Sequence, residues 1–140
     1  MIVLVTGGRH WSSRAVIYEK LYRVHGLYGI DKVIEGCAPG ADSMAEDWCK
    51  IFRIPDWHHP AHWRHDDNCQ FDCKKMVGRA AGQIRNQEMA NRLPHLALAF
   101  HDDIQNSSGT KGMINKALAK KIDTYLCDST GNMERVSSKI

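Results

Sequence analysis

The stretch from residue 33 to 48, VIEGCAPGADSMAEDW, restricts the folds open to this chain more than any other. A short apolar run, Val33 and Ile34 following Ile30, enters a glycine-rich turn and leaves it with a new periodicity. β-Branched side chains in such a run suit a strand. Ala41, Met44, Ala45 and Trp48 then recur at i, i+3, i+4 and i+7, the spacing of one buried helix face. Between strand and helix, Gly36 and Gly40 can take backbone angles closed to other residues, and Pro39 fixes one φ. The first N–H groups of the helix lack partners within it and carry partial positive charge, so an anion such as a phosphate is a natural occupant. A plain tight turn of an α/β protein would use the same residues, and the choice between the two rests on the remaining chain.

Residues 2–5 form a continuous apolar run that ends in Thr6, Gly7, Gly8 and Arg9, which predicts a buried parallel strand with a loop at its carboxyl end. Residues 14–25 carry Ile17, Leu21 and Val24 on one helical face, with Gly26 and Gly29 as stop signals. The second helix is expected to reach about residue 52, and Ile54 with Pro55 restarts the chain toward a short third strand ending near Pro60. Over 61–77 the periodicity disappears, which predicts a loop excursion. A helix is expected over 79–92, a fourth strand over 95–100, a second glycine-bearing turn with Gly109 just before a helix, and a fifth strand over 122–127. Residues 128–140 are polar and read as a frayed tail.

Alternating strands and helices imply a single α/β domain with a parallel sheet of about five strands covered on both faces. In such sheets ligands bind beyond the carboxyl ends of the strands, where the strand order reverses. The loops after strands one, two and four would converge there. Composition narrows the function. Hydrophobic and charged fractions of 43% and 25% exclude disorder and fibres, and no run approaches the roughly 18 apolar residues of a membrane span. Cys37, Cys49, Cys69, Cys73 and Cys127 are odd in number and scattered, as free thiols in a reducing compartment would be, so a cytoplasmic setting is expected. A net charge of +3 suits a small anionic ligand and falls short of the bias of a dedicated nucleic-acid binder.

Separated pieces of the chain, VTGGR at 5–9, EGCAPGAD at 35–42, and GRAAGQIRNQEM at 78–89 with SSGTKGMI at 107–114, resemble the SLOG superfamily, which includes the Smf/DprA and Lonely Guy proteins. Within it, they are most similar to the YspA/YpsA-related branch of small stand-alone proteins often found in phages and bacteria. The resemblance spans residues 2–127 and implies a Rossmann-like fold that binds nucleotides or nucleotide-derived small molecules, frequently as a homo-oligomer, dimer or tetramer. For a phage protein the setting would be the host cytoplasm. The resemblance implies ligand contacts from Gly7, Gly8 and Arg9 in the first loop and from Gly36, Cys37, Ala38, Gly40 and Asp42 in the second. It adds Arg85 and Asn86, and Ser107, Ser108, Gly109 and Thr110 as a phosphate cradle. Arg85 offers a planar, permanently charged fork suited to phosphate. Asp42 has two roles open to it, capping its helix, which is preferred, or accepting from a ribose hydroxyl.

Lonely Guy enzymes hydrolyse an N-glycosidic bond and carry a catalytic Glu in a Pro-Gly-Gly-x-Gly-Thr-x-x-Glu signature. Aligning Gly109 and Thr110 with it puts Met113 at the Glu, so the carboxylate is missing. Capture of an ADP-ribose, NAD-derived or nucleoside phosphate ligand by a sensor or sequestering protein is therefore the leading expectation. The alternative is a phosphoribohydrolase-like enzyme with a displaced acid, the candidates being Glu35 and the strand-four exit residues Asp102 and Asp103, for each of which the plain reading is a solvated loop carboxylate. A third reading is single-stranded DNA binding of DprA type through Arg79, Arg85 and Arg92 with Lys74 and Lys75, against which stands the lack of interleaved aromatics. The excursion is longer than its family counterpart. Its His62, His65, Cys69 and Cys73, with His58 and His59 upstream, include zinc-ligand types, but without a second matched pair they read as surface histidines and free thiols. Trp63 is read as an anchor for this loop or a base-stacking ring. No metal or cofactor is expected.

Overall fold

The computed structural model describes residues 1–61 and 80–140. The expectations for Trp63, the histidines and cysteines of the excursion, Lys74, Lys75 and Arg79 lie outside the described residues. One six-stranded sheet runs in the order β3-β2-β1-β4-β5-β6, with β1 Ile2–Gly7, β2 Lys32–Glu35, β3 Asp56–His58, β4 Leu96–Phe100, β5 Asp123–Cys127 and β6 Met133–Val136. The first five strands pair in parallel. The helices are α1 Arg14–Tyr28, α2 Ala41–Phe52, α3 Ala80–Asn91 and α4 Ser108–Ala119, with a 3-10 turn at Ile104–Asn106.

Strand alternation splits the core into two layers. Val3, Val5, Leu98 and Phe100 face Ile17, Leu21 and Trp48 of α1 and α2. Leu4, Ile34 and Ala97 face the opposite way, onto Met89, Ala90, Met113 and Ala117 of α3 and α4. All five residues of β4 are buried, as a central parallel strand requires, and its LALAF sequence puts the large side chains on one face and alanines on the other. The chain moves outward from β1 to β3 and then returns to place β4 on the other flank of β1. The order therefore reverses between β1 and β4, and the loops leaving these two strands frame a crevice.

Two expectations are corrected. The helix expected to stop at residue 25 continues through the exposed Gly26 and ends at Gly29, whose φ of 74° and N–H bond to the His25 carbonyl close it. An exposed glycine weakens a helix by only about 1 kcal/mol, less than the packed face around it supplies. The segment over 128–140 is not simply a frayed tail, because β6 adds antiparallel to β5. The Asp128 carboxylate accepts from the Thr130 and Asn132 N–H groups at 2.9 and 3.2 Å, and Gly131 takes φ 89°, so the segment turns back as a hairpin. Ile140 is tied to α4 through both its backbone N–H and its carbonyl, each 3.0 Å from the Asn115 amide.

Candidate ligand cleft at the carboxyl ends of the strands

A cleft of about 610 Å³ opens at the predicted crevice. Of the residues expected to contact ligand, Gly7, Gly8, Arg9, Ala38, Asp42, Arg85, Asn86, Ser107, Ser108, Gly109 and Thr110 line it. Gly36, Cys37 and Gly40 do not. Gly36 and Gly40 instead shape its walls. A Cβ on Gly40 would stand 2.2 Å from the Gly8 carbonyl oxygen, and a Cβ on Gly36 would stand 2.5 Å from Arg85 Nη1. Glycine at 40 thus lets the β2–α2 turn pack on the β1–α1 loop, and glycine at 36 makes room for the arginine.

Arg85 is fixed by its neighbours. Its Nη1 donates to the Gly36 carbonyl at 2.5 Å and its Nε to Asn86 Oδ1 at 2.9 Å. Asn86 passes the connection on, its Nδ2 donating to the Gly109 carbonyl at 3.3 Å. The chain Gly36–Arg85–Asn86–Gly109 joins the second loop, α3 and the start of α4. Gly82, Arg85, Asn86 and Met89, at i, i+3, i+4 and i+7 on α3, all line the cleft, which accounts for the AAGQIRNQEM spacing. Burial lowers the Arg85 pKa, with the Asp42 carboxylate opposing and Arg9 reinforcing the shift. The guanidinium stays charged at neutral pH.

The two candidate helix N-termini differ. At α2, Ala41 N–H donates to the Gly8 carbonyl at 3.3 Å. Asp42 does not cap the helix, contrary to the preferred reading. Its Oδ2 accepts from Gly36 and Ala38 N–H at 3.1 and 3.3 Å, holding the turn instead. At the α2 start, the Ala41 N–H is therefore taken by the protein's own Gly8 carbonyl. At α4, Ser107 is the cap, its Oγ accepting from Thr110 N–H at 3.3 Å. The helix begins at Ser108, so Gly109, expected just before it, lies in its first turn. Ser108 and Gly109 precede the first helical bond, from Lys111 N–H to the Ser107 carbonyl. A Cβ on Gly109 would meet nothing within 4 Å, so the backbone here is open to close approach.

The expected acids lie elsewhere. Glu35 is not a solvated loop carboxylate; it is fully buried and outside the cleft lining, accepting from Cys37 N–H and lying 2.5 Å from His58 Nδ1. Asp102 accepts from Ser129 N–H at 2.7 Å, and Asp103 accepts from the Asn106 side chain at 2.8 Å; neither lines the cleft. Met113, where the Lonely Guy Glu would stand, is fully buried in the core. Among the described residues, the carboxylate that lines the cleft is Asp42. Burial and then the Glu35 charge push it up to about 7 from its ordinary 3.8, and its Oδ1 has no hydrogen-bond partner among the described residues. His10, Gln83 and His101 also line the cleft and were not singled out in the sequence. His101, the residue after β4, sits over Gly8, 3.1 Å from where a Cβ would be.

Near β3, burial and the Glu35 carboxylate push the Cys37 thiol up to about 12, and burial followed by Glu35 pushes Asp56 to about 7. Burial works against charged His58, but the Asp56 and Glu35 carboxylates outweigh it and raise its pKa. His59 is a packed core residue; it is buried, with Nδ1 3.1 Å from the Trp57 carbonyl and Nε2 accepting from Arg92. Arg92 in turn stacks 3.8 Å over the Trp57 ring. Arg92 is thus engaged by His59 and Trp57 within the fold. Cys37, Cys49 and Cys127 are free thiols.

A pH dependence follows from Asp42. Between about pH 4 and 7 the folded state holds a proton on Asp42 that the unfolded chain releases, so this group makes stability fall as pH rises through that window. At about 1.4 kcal/mol per pKa unit the effect is of the order of a few kcal/mol. Thermal melts are expected to show a higher Tm at pH 5 than at pH 8, with a shallower profile for Asp42→Asn. Parallel profiles for the two proteins would refute the assignment.

The fold and the cleft define a Rossmann-like α/β protein with arginines and an open helix N-terminus gathered at the strand ends. The chain belongs to the YspA, cpYpsA-related SLOG family. That family matches residues 1–65. Over a wider span the chain is similar to the "Gene 61 protein" of Mycobacterium phage D29, with 30% identity over 122 residues that cover 82% of this chain and 86% of the phage protein. No solved structure matches the chain. Membership of the family suggests a nucleotide-related function. Among the described residues, no helix is long and apolar enough to cross a membrane.

Proposed function

We propose that this protein captures a nucleotide or nucleotide-derived small molecule, of the ADP-ribose, NAD-derived or nucleoside phosphate class, as a sensor or sequestering protein. The observation that carries this reading is the convergence of Arg85, held by Gly36 and Asn86, with the α4 N-terminus at Ser107–Thr110 on one wall of the cleft. A fixed guanidinium beside helix N–H groups that precede the first helical bond is matched to phosphate oxygens, and a cleft of about 610 Å³ is of nucleotide size. In this reading the protein works as a homo-oligomer, dimer or tetramer, which light scattering would test.

A second reading, hydrolysis of such a ligand, is favoured by Asp42. It lines the same cleft with a pKa of about 7, suited to proton transfer near neutral pH. One experiment separates the two. The protein is incubated with pooled nucleotides and NAD derivatives, washed and denatured, and released molecules are identified by mass spectrometry. One intact ligand is the result expected for capture. A free base with ribose phosphate and a falling substrate pool would establish hydrolysis, and an unchanged pool with nothing retained would refute both.

A further inference from the structure

We propose that Glu35, Glu46, Asp56 and His58 form a binding site for a divalent first-row transition ion, at the β2–α2–β3 edge of the sheet and separate from the ligand cleft. The residues come from three elements. Glu35 ends β2, Glu46 lies on α2, and Asp56 with His58 occupies i and i+2 of β3, hence one face of that strand. One donor atom from each lies within 4.8 Å of every other. None of the four lines the cleft.

Proximity of acids alone would be unremarkable, and the independent observation is Asp56. Its side chain is only 9% exposed, and neither carboxylate oxygen has a hydrogen-bond partner among the described residues. His58 Nε2 lies 3.6 Å from Oδ2, outside hydrogen-bond range, while Nδ1 of the same ring is engaged by Glu35 at 2.5 Å. Glu35 is itself fully buried. A buried carboxylate without donors is costly, and here it faces two further carboxylates. Lys50 reaches Glu46 at 3.1 Å but is an exposed surface lysine. A cation between the four donors would satisfy Asp56 and remove the mutual repulsion. Three carboxylates and one imidazole form a predominantly hard donor set with one borderline nitrogen, which suits Mn(II) or Zn(II) better than soft ions. Cys37 borders the site, its Sγ 3.4 Å from His58 Nδ1.

The test uses Zn(II) as the probe on the chelator-treated full chain. Calorimetric titration is expected to show one tight equivalent. Thermal melts should show a Tm rise of at least about 5 °C at a hundredfold excess over Kd, reversed by chelator. Asp56→Asn removes a buried carboxylate that lacks hydrogen-bond donors, so the metal-free variant should melt no lower than the wild type while its Zn(II) affinity falls at least about tenfold. Glu46→Gln, on a helix surface, should weaken binding in the same direction. A Cys69→Ser/Cys73→Ser variant should bind as the wild type does. Absence of Zn(II) binding, binding unchanged in both carboxylate variants, or binding that requires Cys69 or Cys73 would each overturn the proposal.

Discussion

Arg85→Ala is expected to lower affinity for a phosphate-bearing ligand by about 30- to 100-fold with the protein still folded. The estimate follows from its donors. Two bonds to Gly36 and Asn86 hold the guanidinium in place, so in the proposed capture it would meet a phosphate without first losing side-chain freedom. A charge-assisted hydrogen bond contributes about 1.5–3 kcal/mol, and the upper part of that range applies where the fork is already oriented. Isothermal titration with ADP-ribose, or with whichever ligand the pooled capture returns, measures the effect. Arg85→Lys separates charge from geometry. A lysine retains the positive charge but cannot hold Gly36 and Asn86 with one planar group, so it should recover only part of the affinity. Equal binding by wild type and Arg85→Ala would remove this residue from the site and with it the main support for the capture reading.

How much of this was legible beforehand depends on which physical signal each feature carries. The β-branched runs at Ile2 and Val33 and the alanine-rich run at Leu96 announced parallel strands, because a strand covered on both faces is apolar over most of its length. The convergence of the loops after β1, β2 and β4 followed from topology. How each helix N-terminus is held did not. Gly40-Ala-Asp and Ser107-Ser-Gly-Thr look equally suited to anions in sequence, and only side-chain direction shows that Asp42 turns back onto Gly36 and Ala38 while Ser107 caps α4 from outside the helix. Glu35 was equally opaque. A glutamate at a strand end before a glycine reads as a solvated loop carboxylate, yet it is fully buried because Asp56 and His58 of β3, more than 20 residues later, close over it. The β6 hairpin had a readable signal in Asp128 and Gly131, an Asx turn followed by a residue of positive φ, which the polarity of the segment obscured.

Gly40→Ala is expected to destabilise the protein more than any other single methyl addition described, by about 3–5 kcal/mol. Gly40 has φ 81° and ψ −123°, a region closed to residues with a side chain, and a strained backbone of this kind costs about 1–3 kcal/mol. The added carbon would also stand 2.2 Å from the Gly8 oxygen and 2.7 Å from that of Arg9. Both are backbone atoms, so no side-chain rotation relieves the contact, and overpacking adds about 1–3 kcal/mol. Ala41 N–H bonds the same Gly8 carbonyl, so separating the two loops would break that link and move Arg9 and Asp42 apart. Against a typical total of about 5–15 kcal/mol, the loss should lower Tm by about 10 °C or more. Gly26→Ala is the matched control, because Gly26 is helical, exposed and has nothing within 4 Å of its added carbon. It should raise stability by about 0.5–1 kcal/mol through helix propensity. Similar melting curves for the two variants would show that the contact between the β1–α1 and β2–α2 loops does not hold the cleft together.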